Sequence, residues 1–301
     1  MFVSWLTQNM SKMTLVRRCA SLFALSLLFC IALPGSSYAA TPYQEKGLLI
    51  TPLRQYLSID AGKSLDSSLT IANLTDGPLI VNLSVKQFSV ANYTYDYKFT
   101  APPNDWIHLS TNSFTLPTHK TMDVPYSVDV PAGSTPGGHY YTLFASANLS
   151  SQGINNTVQA ADLLYLTVNG QLTSVSHLQD SSIQWLSFGK DIPFTLQPVN
   201  TGNVHTFVYV SGQLHGLFVK PPQTSSGHLL MPEKVRTLQG SIPSPILPGI
   251  YQAVYGYKTD AGWVIQQQHW VVFIPPWSIA FVLAALLVGS KYLTRTKKQA
   301  E

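Results

Sequence analysis

Between residues 44 and 274 the apolar positions fall in short runs with a period of two, broken by Pro, Gly, Asn and Asp, and no long helical periodicity competes with them. Met122, Val124, Tyr126, Val128 and Val130 alternate with other residues, which places them on one face of a strand over 121–130. Residues 48–50 and 56–59 open the region as strands. Residues 68–73 alternate, Asp76-Gly77-Pro78 turns the chain, and 79–85 is expected to return as the hairpin partner of 68–73. Residues 139–148 and 161–169 supply the last strands of this half.

The second half repeats the plan. Residues 194–203 follow 69–77, each a strand ending in Asn (Asn73, Asn200) and then a turn. Residues 204–214 correspond to 79–88, Leu230-Met231-Pro232 to Leu116-Pro117, and Pro248-Gly249 to Pro136-Gly137. The expectation is an all-β chain of two tandem immunoglobulin-like β-sandwiches, 40–170 and 171–274, without the Cys…Trp…Cys hallmark of antibody domains. The first copy carries extra length around 91–106. Within it Tyr93, Tyr95, Tyr97 and Phe99 alternate, so they are expected on one face of an extended strand, with Trp106 brought alongside by Pro102-Pro103. Inserted segments on a rigid scaffold are where binding tends to reside.

The ends set the compartment. Lys12, Arg17 and Arg18 precede the uncharged run 20–33, Pro34-Gly35 breaks it, and Ser37-Tyr38-Ala39 offers small residues for cleavage, so 1–39 reads as a signal peptide. Residues 271–290 carry no charge, and a helix starting at Pro275-Pro276-Trp277 is expected to span a membrane over 275–294. Residues 276–293 at about 1.5 Å per residue reach about 27 Å, enough for the hydrocarbon. Arg295, Lys297 and Lys298 in the tail 295–301 then stay cytoplasmic. The expected localisation is the cell membrane, single-pass, with the N-terminus extracellular and the C-terminus cytoplasmic.

Charge and cysteine content narrow the function. The net charge of +4 belongs to the ends, because residues 40–290 hold 11 basic against 13 acidic residues. No basic patch for nucleic acid is visible there. Cys19 and Cys30 both lie in the leader, so the mature chain has no disulfide framework, cysteine zinc site or thiol nucleophile.

A secretion signal, two sandwiches, one C-terminal span and a short basic tail resemble the WxL-interacting proteins of Gram-positive bacterial surfaces. The resemblance rests on Ser68-Leu69-Thr70-Ile71-Ala72-Asn73-Leu74-Thr75, on Asp105-Trp106-Ile107 ahead of Phe114-Thr115-Leu116-Pro117, on Val130-Pro131-Ala132-Gly133 leading to Gly137-Gly138-His139-Tyr140, and on Val199-Asn200-Thr201-Gly202-Asn203-Val204-His205. It implies a membrane-anchored adaptor. The first sandwich would contact peptidoglycan or another wall glycan, and the second a surface protein such as a WxL-domain protein. It implies no catalytic residues.

The residues themselves point the same way. The eight histidines form no HExxH or comparable metal spacing, and no nucleophile elbow or phosphate loop stands in a suitable context. Asp96 and Asp105 are explained as solvated loop residues rather than a hydrolase pair. No enzyme activity, metal or cofactor is expected. The candidate ligand-binding residues are Tyr93, Tyr95, Tyr97, Trp106 and Tyr140, because sugar C–H faces stack on flat rings while phenols and Asn92, Asn104 and Asp105 take hydroxyl hydrogen bonds. The alternative is an accessory subunit of a membrane complex that binds no glycan, with a wall hydrolase third.

Overall fold

Alternation in the sequence becomes alternation of burial. In the strand Ser64–Asn73, Leu69 and Ile71 are fully buried while Ser68 faces outward. In Leu79–Val90, Leu79, Val81 and Leu83 point in and Ile80, Asn82 and Ser84 point out. The computed structural model describes the backbone of residues 47–151, 154–225, 227–259 and 262–298, and the side chains of the C-terminal helix as far as Leu287. The expected signal peptide 1–39 and the end of the expected tail lie outside the described residues. The compact unit runs from Lys46 onward and holds both halves of the repeat.

The first half contributes β1 (Leu48–Thr51), β2 (Arg54–Ile59), β3 (Ser64–Asn73), β4 (Leu79–Val90), β5 (Tyr97–Thr100), β6 (Ile107–Leu109), β7 (Ser113–Leu116), β8 (Thr121–Asp129), β9 (Gly137–Ser151) and β10 (Ile154–Val168). They form two sheets, β1-β3-β8-β6 and β2-β10-β9-β4-β5, with β7 on the end of β4. Every pairing is antiparallel except β2 with β10. Leu69, Ile71, Val81, Val124, Leu164 and Leu166 fill the space between the sheets. The expected hairpin of 68–73 with 79–85 is not formed, because β3 and β4 lie in opposite sheets. The turn at Asp76-Gly77-Pro78 carries the chain across the core instead of back along the same sheet.

The second half contributes β11 (Ser176–Ile183), β12 (Leu186–Ser187), β13 (Ile192–Asn200), β14 (Thr206–His215), β15 (Gln223–Thr224), β16 (His228–Leu230), β17 (Leu238–Ile242), β18 (Gly249–Thr259) and β19 (Gly262–Phe273). Its sheets are β11-β13-β17 and β12-β19-β18-β14-β15, with β16 on β14. The order matches the first half, including the parallel contact of β12 with β19, except that among the described residues no strand beside β17 corresponds to β6. Both follow the immunoglobulin plan of one sheet built on the second and fifth main strands and the other on the third, sixth and seventh.

The crossover between sheets explains the repeated asparagine. Asn73 is fully buried, and its Nδ2 donates to the carbonyls of Gly77 (2.8 Å), Leu116 (3.1 Å) and Pro117 (3.1 Å). Its Oδ1 accepts from the Thr75 backbone at 2.9 Å. Asn200, also fully buried, donates to Val204 (2.9 Å) and Leu230 (3.0 Å) and accepts from the Gly202 backbone at 2.8 Å. Leu116 and Leu230 are therefore structural equivalents, as are β7 and β16, the strands they end.

One polar group in the first core is poorly served. Asp162 on β10 is fully buried, its Oδ2 accepts from Gln55 Nε2 at 2.6 Å, and its Oδ1 has no partner. Burial raises its pKa from 3.8 to about 6, opposed by the Gln55 bond.

After β19 the helix α1 (Pro276–Lys298) begins at Pro276, where proline suits the first turn. Among the described residues no helix is long and apolar enough to cross a membrane. The side chains that would complete the expected span 275–294 lie past Leu287.

Two outcomes follow for the unfolding of residues 46–274, the first read by urea denaturation and the second by thermal melting. Asn73→Ala leaves buried carbonyls without a donor and is expected to lower stability by about 1–3 kcal/mol, with Asn73→Asp no better because it lacks the donating amide. For Asp162 the folded pKa is raised, so its favourable contribution is complete below the unfolded value and is lost as pH rises through about 6. Asp162→Asn is expected to flatten the decline in melting temperature across that window and to gain most at neutral pH.

Candidate binding cleft between the sandwiches

Two chain segments join the sandwiches, and each has a local reason. At the linker, Asn203 Nδ2 donates to Pro136 (3.2 Å) and Gln171 (3.0 Å), and the Asn203 carbonyl accepts from the Gly138 backbone at 2.8 Å. Tyr140 lies beside it, its hydroxyl accepting from the His205 backbone at 3.1 Å. The second joint is the loop 91–96. Tyr93 and Tyr95 both have left-handed backbone, with φ of 68° and 64°. That conformation is unfavourable for a bulky residue and persists only where the surroundings enforce it. Here the Tyr93 backbone donates to Val235 at 2.8 Å and accepts from Thr237 at 3.0 Å, while Asn92 Oδ1 accepts from the Val235 backbone at 3.1 Å. The loop is a strap from the first sandwich onto residues 231–237 of the second.

Tyr95 is the side-chain anchor of that strap. Its hydroxyl accepts from the Met231 backbone at 2.7 Å, and the Arg236 guanidinium lies over its ring at 4.4 Å. Between strap and linker an aromatic cluster covers the outer face of β4 and β10. Tyr56 stacks on Tyr165 at 4.9 Å, and Phe88 meets Tyr165 edge-on at 5.3 Å. His205 and Phe207 approach Tyr56 at 5.8 and 5.9 Å from the second sandwich. This cover is why Phe88 and Val90 are buried although outward positions earlier on β4 are exposed.

The cluster leaves a cavity of about 300 Å³ whose lining includes Arg54, Tyr95, Tyr97, Tyr165, Phe207 and Arg236. Burial pushes the Tyr95 phenol up to about 12 and raises those of Tyr140 and Tyr165 further. Burial lowers the pKa of His205, and of His228 with help from the Arg236 charge, so both imidazoles are neutral at pH 7. The lining contains no carboxylate, which leaves the Arg54 and Arg236 guanidiniums as its permanent charges. The cleft suits a ligand with a flat apolar face and a negative group.

Of the five ring residues singled out from sequence, the fold brings three to this region. Tyr95 and Tyr97 line the cavity, and Tyr140 packs against the cluster that walls it. Tyr93 stays at the rim, half exposed, with its hydroxyl 3.5 Å from Gln179 Nε2. The expected single face is corrected: positive φ at Tyr93 and Tyr95 takes both out of strand geometry, and only Tyr97 and Phe99 share a face, on β5. Trp106 is corrected too. It is 9% exposed in the core of the first sandwich, against His139 at 4.7 Å, because a large ring at the start of β6 closes that core. Arg54, Tyr165, Phe207, His228 and Arg236 carry no local motif, since they come from distant strands and meet only when the two halves pack.

The sequence matches no protein-family model and no curated protein. Among solved structures, the class 5 fimbriae chaperone CfaA is similar at 11% identity over 76% of this chain and 100% of its own, with a TM-score of 0.42. The CsuC–CsuE chaperone–tip adhesion subunit complex of Acinetobacter baumannii pili gives 11% identity over 76% and 98%, with a TM-score of 0.40. The PapD-like domain of human CEP192 gives 15% identity over 45% and 96%, with a TM-score of 0.30. The chemistry of the cleft itself carries the functional reading.

Two variants separate joint from core. Tyr95→Ala removes the Met231 and Arg236 contacts and is expected to speed proteolytic cleavage at residues 171–175 while each sandwich stays folded, as read by fragment masses. Trp106→Ala is expected to cost about 3–5 kcal/mol of folding stability in urea, as deletion of a core ring does.

Proposed function

We propose that the chain is a membrane-anchored, extracytoplasmic and non-enzymatic adaptor that binds a wall glycan at the aromatic cleft between its sandwiches. The observation that carries this reading is a set of ring faces left open beside a positive charge. Tyr97 and Phe99 are 43% and 40% exposed, and their rings lie parallel with centroids 6.1 Å apart. They sit on the edge strand β5, and Tyr97 continues into the cavity with Arg54. Sugar rings present apolar C–H faces to such surfaces, and the carboxylates of peptidoglycan suit an arginine.

The anchor in this proposal is α1. Its described residues from Ala280 to Leu287 are all exposed, and none is charged. A helix that is apolar all round belongs inside a protein or a bilayer, not in water. Together with the uncharged run 271–290, this supports a single C-terminal span with the sandwiches outside.

A protein partner, such as the WxL-type protein that the resemblance implies, is favoured by a different feature. Among the described residues, the outer edge of β19 is paired only at Val272 and Phe273, through β12. An open edge of this kind can accept an added strand.

The glycan reading is tested by co-sedimentation of Tyr97→Ala and Phe99→Ala with purified peptidoglycan, alongside thermal melting. Loss of a stacking ring is expected to weaken binding by about 1–3 kcal/mol with little change in melting. Unchanged sedimentation in both variants would remove glycan from the proposal and leave the β19 edge as the site to probe.

A further inference from the structure

We propose that the end of the second sandwich from which α1 departs is a bilayer-contacting surface, with its loops seated at the boundary between lipid headgroups and acyl chains. This rests on α1 being a membrane anchor and adds a second, independent attachment.

Strand register places several separate segments at that end. β18 starts at Gly249 opposite Phe273, where β19 finishes, and β12 pairs with Val272 and Phe273. β14 finishes at His215 opposite Gln252, close to the start of β18. Ile192, at the start of β13, faces Ile242 at the end of β17. The segment around β12, the loop 216–222 and the loop 243–248 therefore emerge together, beside the first turn of α1.

These segments and the strand ends beside them expose large apolar side chains. Trp185, Phe188, Phe218, Ile246, Ile250 and Trp270 are each more than half exposed, and Leu217 reaches 79%. Ile250, Val272 and Leu186 lie in one cross-strand row, and Trp270 stands two residues along β19 on the same face. Elsewhere among the described residues of this sandwich, the large exposed apolar side chains are Leu172 and Val175 beside the end of β13 and Trp263 and Val264 near the start of β19, all toward the opposite end. Apolar surface gathered at one end of a domain marks an interaction site rather than scattered surface residues.

Three further observations select lipid as the occupant. The patch continues into Trp277 and the apolar surface of α1 without an intervening charge, so whatever medium receives the helix meets the patch first. The charges beside it are Lys190 and Lys220, both exposed, while the Asp191 carboxylate accepts from the Ser244 backbone at 3.0 Å. Tryptophan and phenylalanine with flanking lysines are the residues that favour the interface of an anionic bilayer. The helix is also fixed in direction. Gly189, at φ 78°, approaches Pro276 so closely that a Cβ there would lie 2.5 Å from the proline ring, so the start of α1 is packed onto the base of the sandwich. A helix that enters a bilayer from this base presses the base against the same surface.

The test uses the full chain with Cys19 and Cys30 replaced by serine, reconstituted in vesicles of equal parts phosphatidylcholine and phosphatidylglycerol. A nitrobenzoxadiazole probe is attached in turn to Phe218→Cys, Ile246→Cys, Trp263→Cys and Val282→Cys. Nitroxide-bearing lipid is the quencher. The expected result is a blue shift and strong quenching at 218, 246 and 282, with the probe at 263 unshifted and unquenched. Quenching at 282 alone would overturn the second attachment and leave the anchor standing. Absence of quenching at 282 would remove the anchor and this proposal with it. A blue shift at 218 and 246 without quenching would show that protein covers the base, and would also overturn the proposal.

Discussion

Each half of this chain has to carry its backbone from one sheet of a sandwich to the other, and the crossing at the end of β3 and of β13 brings peptide carbonyls into the interior. Nothing in either sheet can satisfy them, and a buried unsatisfied carbonyl is costly. A single carboxamide does so in each sandwich. Asn73 and Asn200 are fully buried and hold the crossing loop and the strand end that follows β6 or β15 with the same amide hydrogens. The sheets can then close on their apolar faces, and the order of all the later strands depends on that crossing being made.

The joint between the sandwiches uses a different economy of groups. Both attachments rely on backbone bonded across the boundary: Gly138 with Asn203 at the linker, and Tyr93 with Val235 and Thr237 at the strap. Side chains then fill what lies between. Tyr95 and Arg236 close one side, Tyr140 and His205 the other, and Tyr165 with Tyr56 and Phe88 form the floor. The left-handed tyrosines of the strap are held by these contacts with the second sandwich. The cleft is therefore a property of the pair of sandwiches.

The same division of labour runs to the end of the second sandwich from which α1 departs. The second sandwich has a conventional buried core of Phe194, Tyr255, Tyr257 and Phe273. It nevertheless leaves Trp185, Phe188, Phe218 and Trp270 exposed at the end where α1 begins. Core burial explains the former, and folding of the sandwich leaves the latter without a cover. Cleft and apolar base are both surfaces that remain after the two cores are closed.

The sequence by itself determined the period-two strands, the duplication and the equivalence of Asn73 with Asn200 and of Leu116 with Leu230. These are local or near-local signals, because alternation fixes which side chains share a face and a turn follows its own residues. It also placed the start of the final helix at Pro275-Pro276-Trp277, where α1 begins. It did not determine that β3 and β4 part into different sheets, since a turn sequence does not say which side of a core the chain leaves on. It placed Trp106 with the surface rings, and only packing shows that ring closing a core. It read Tyr93, Tyr95, Tyr97 and Phe99 as one face, because alternation assumes extended backbone, and the second sandwich holds two of them in left-handed geometry. Arg54, Tyr165, Phe207 and Arg236 come together from strands far apart in the chain, and that meeting was decided by tertiary structure alone: the contact exists only when two sandwiches, each complete in itself, are packed against one another.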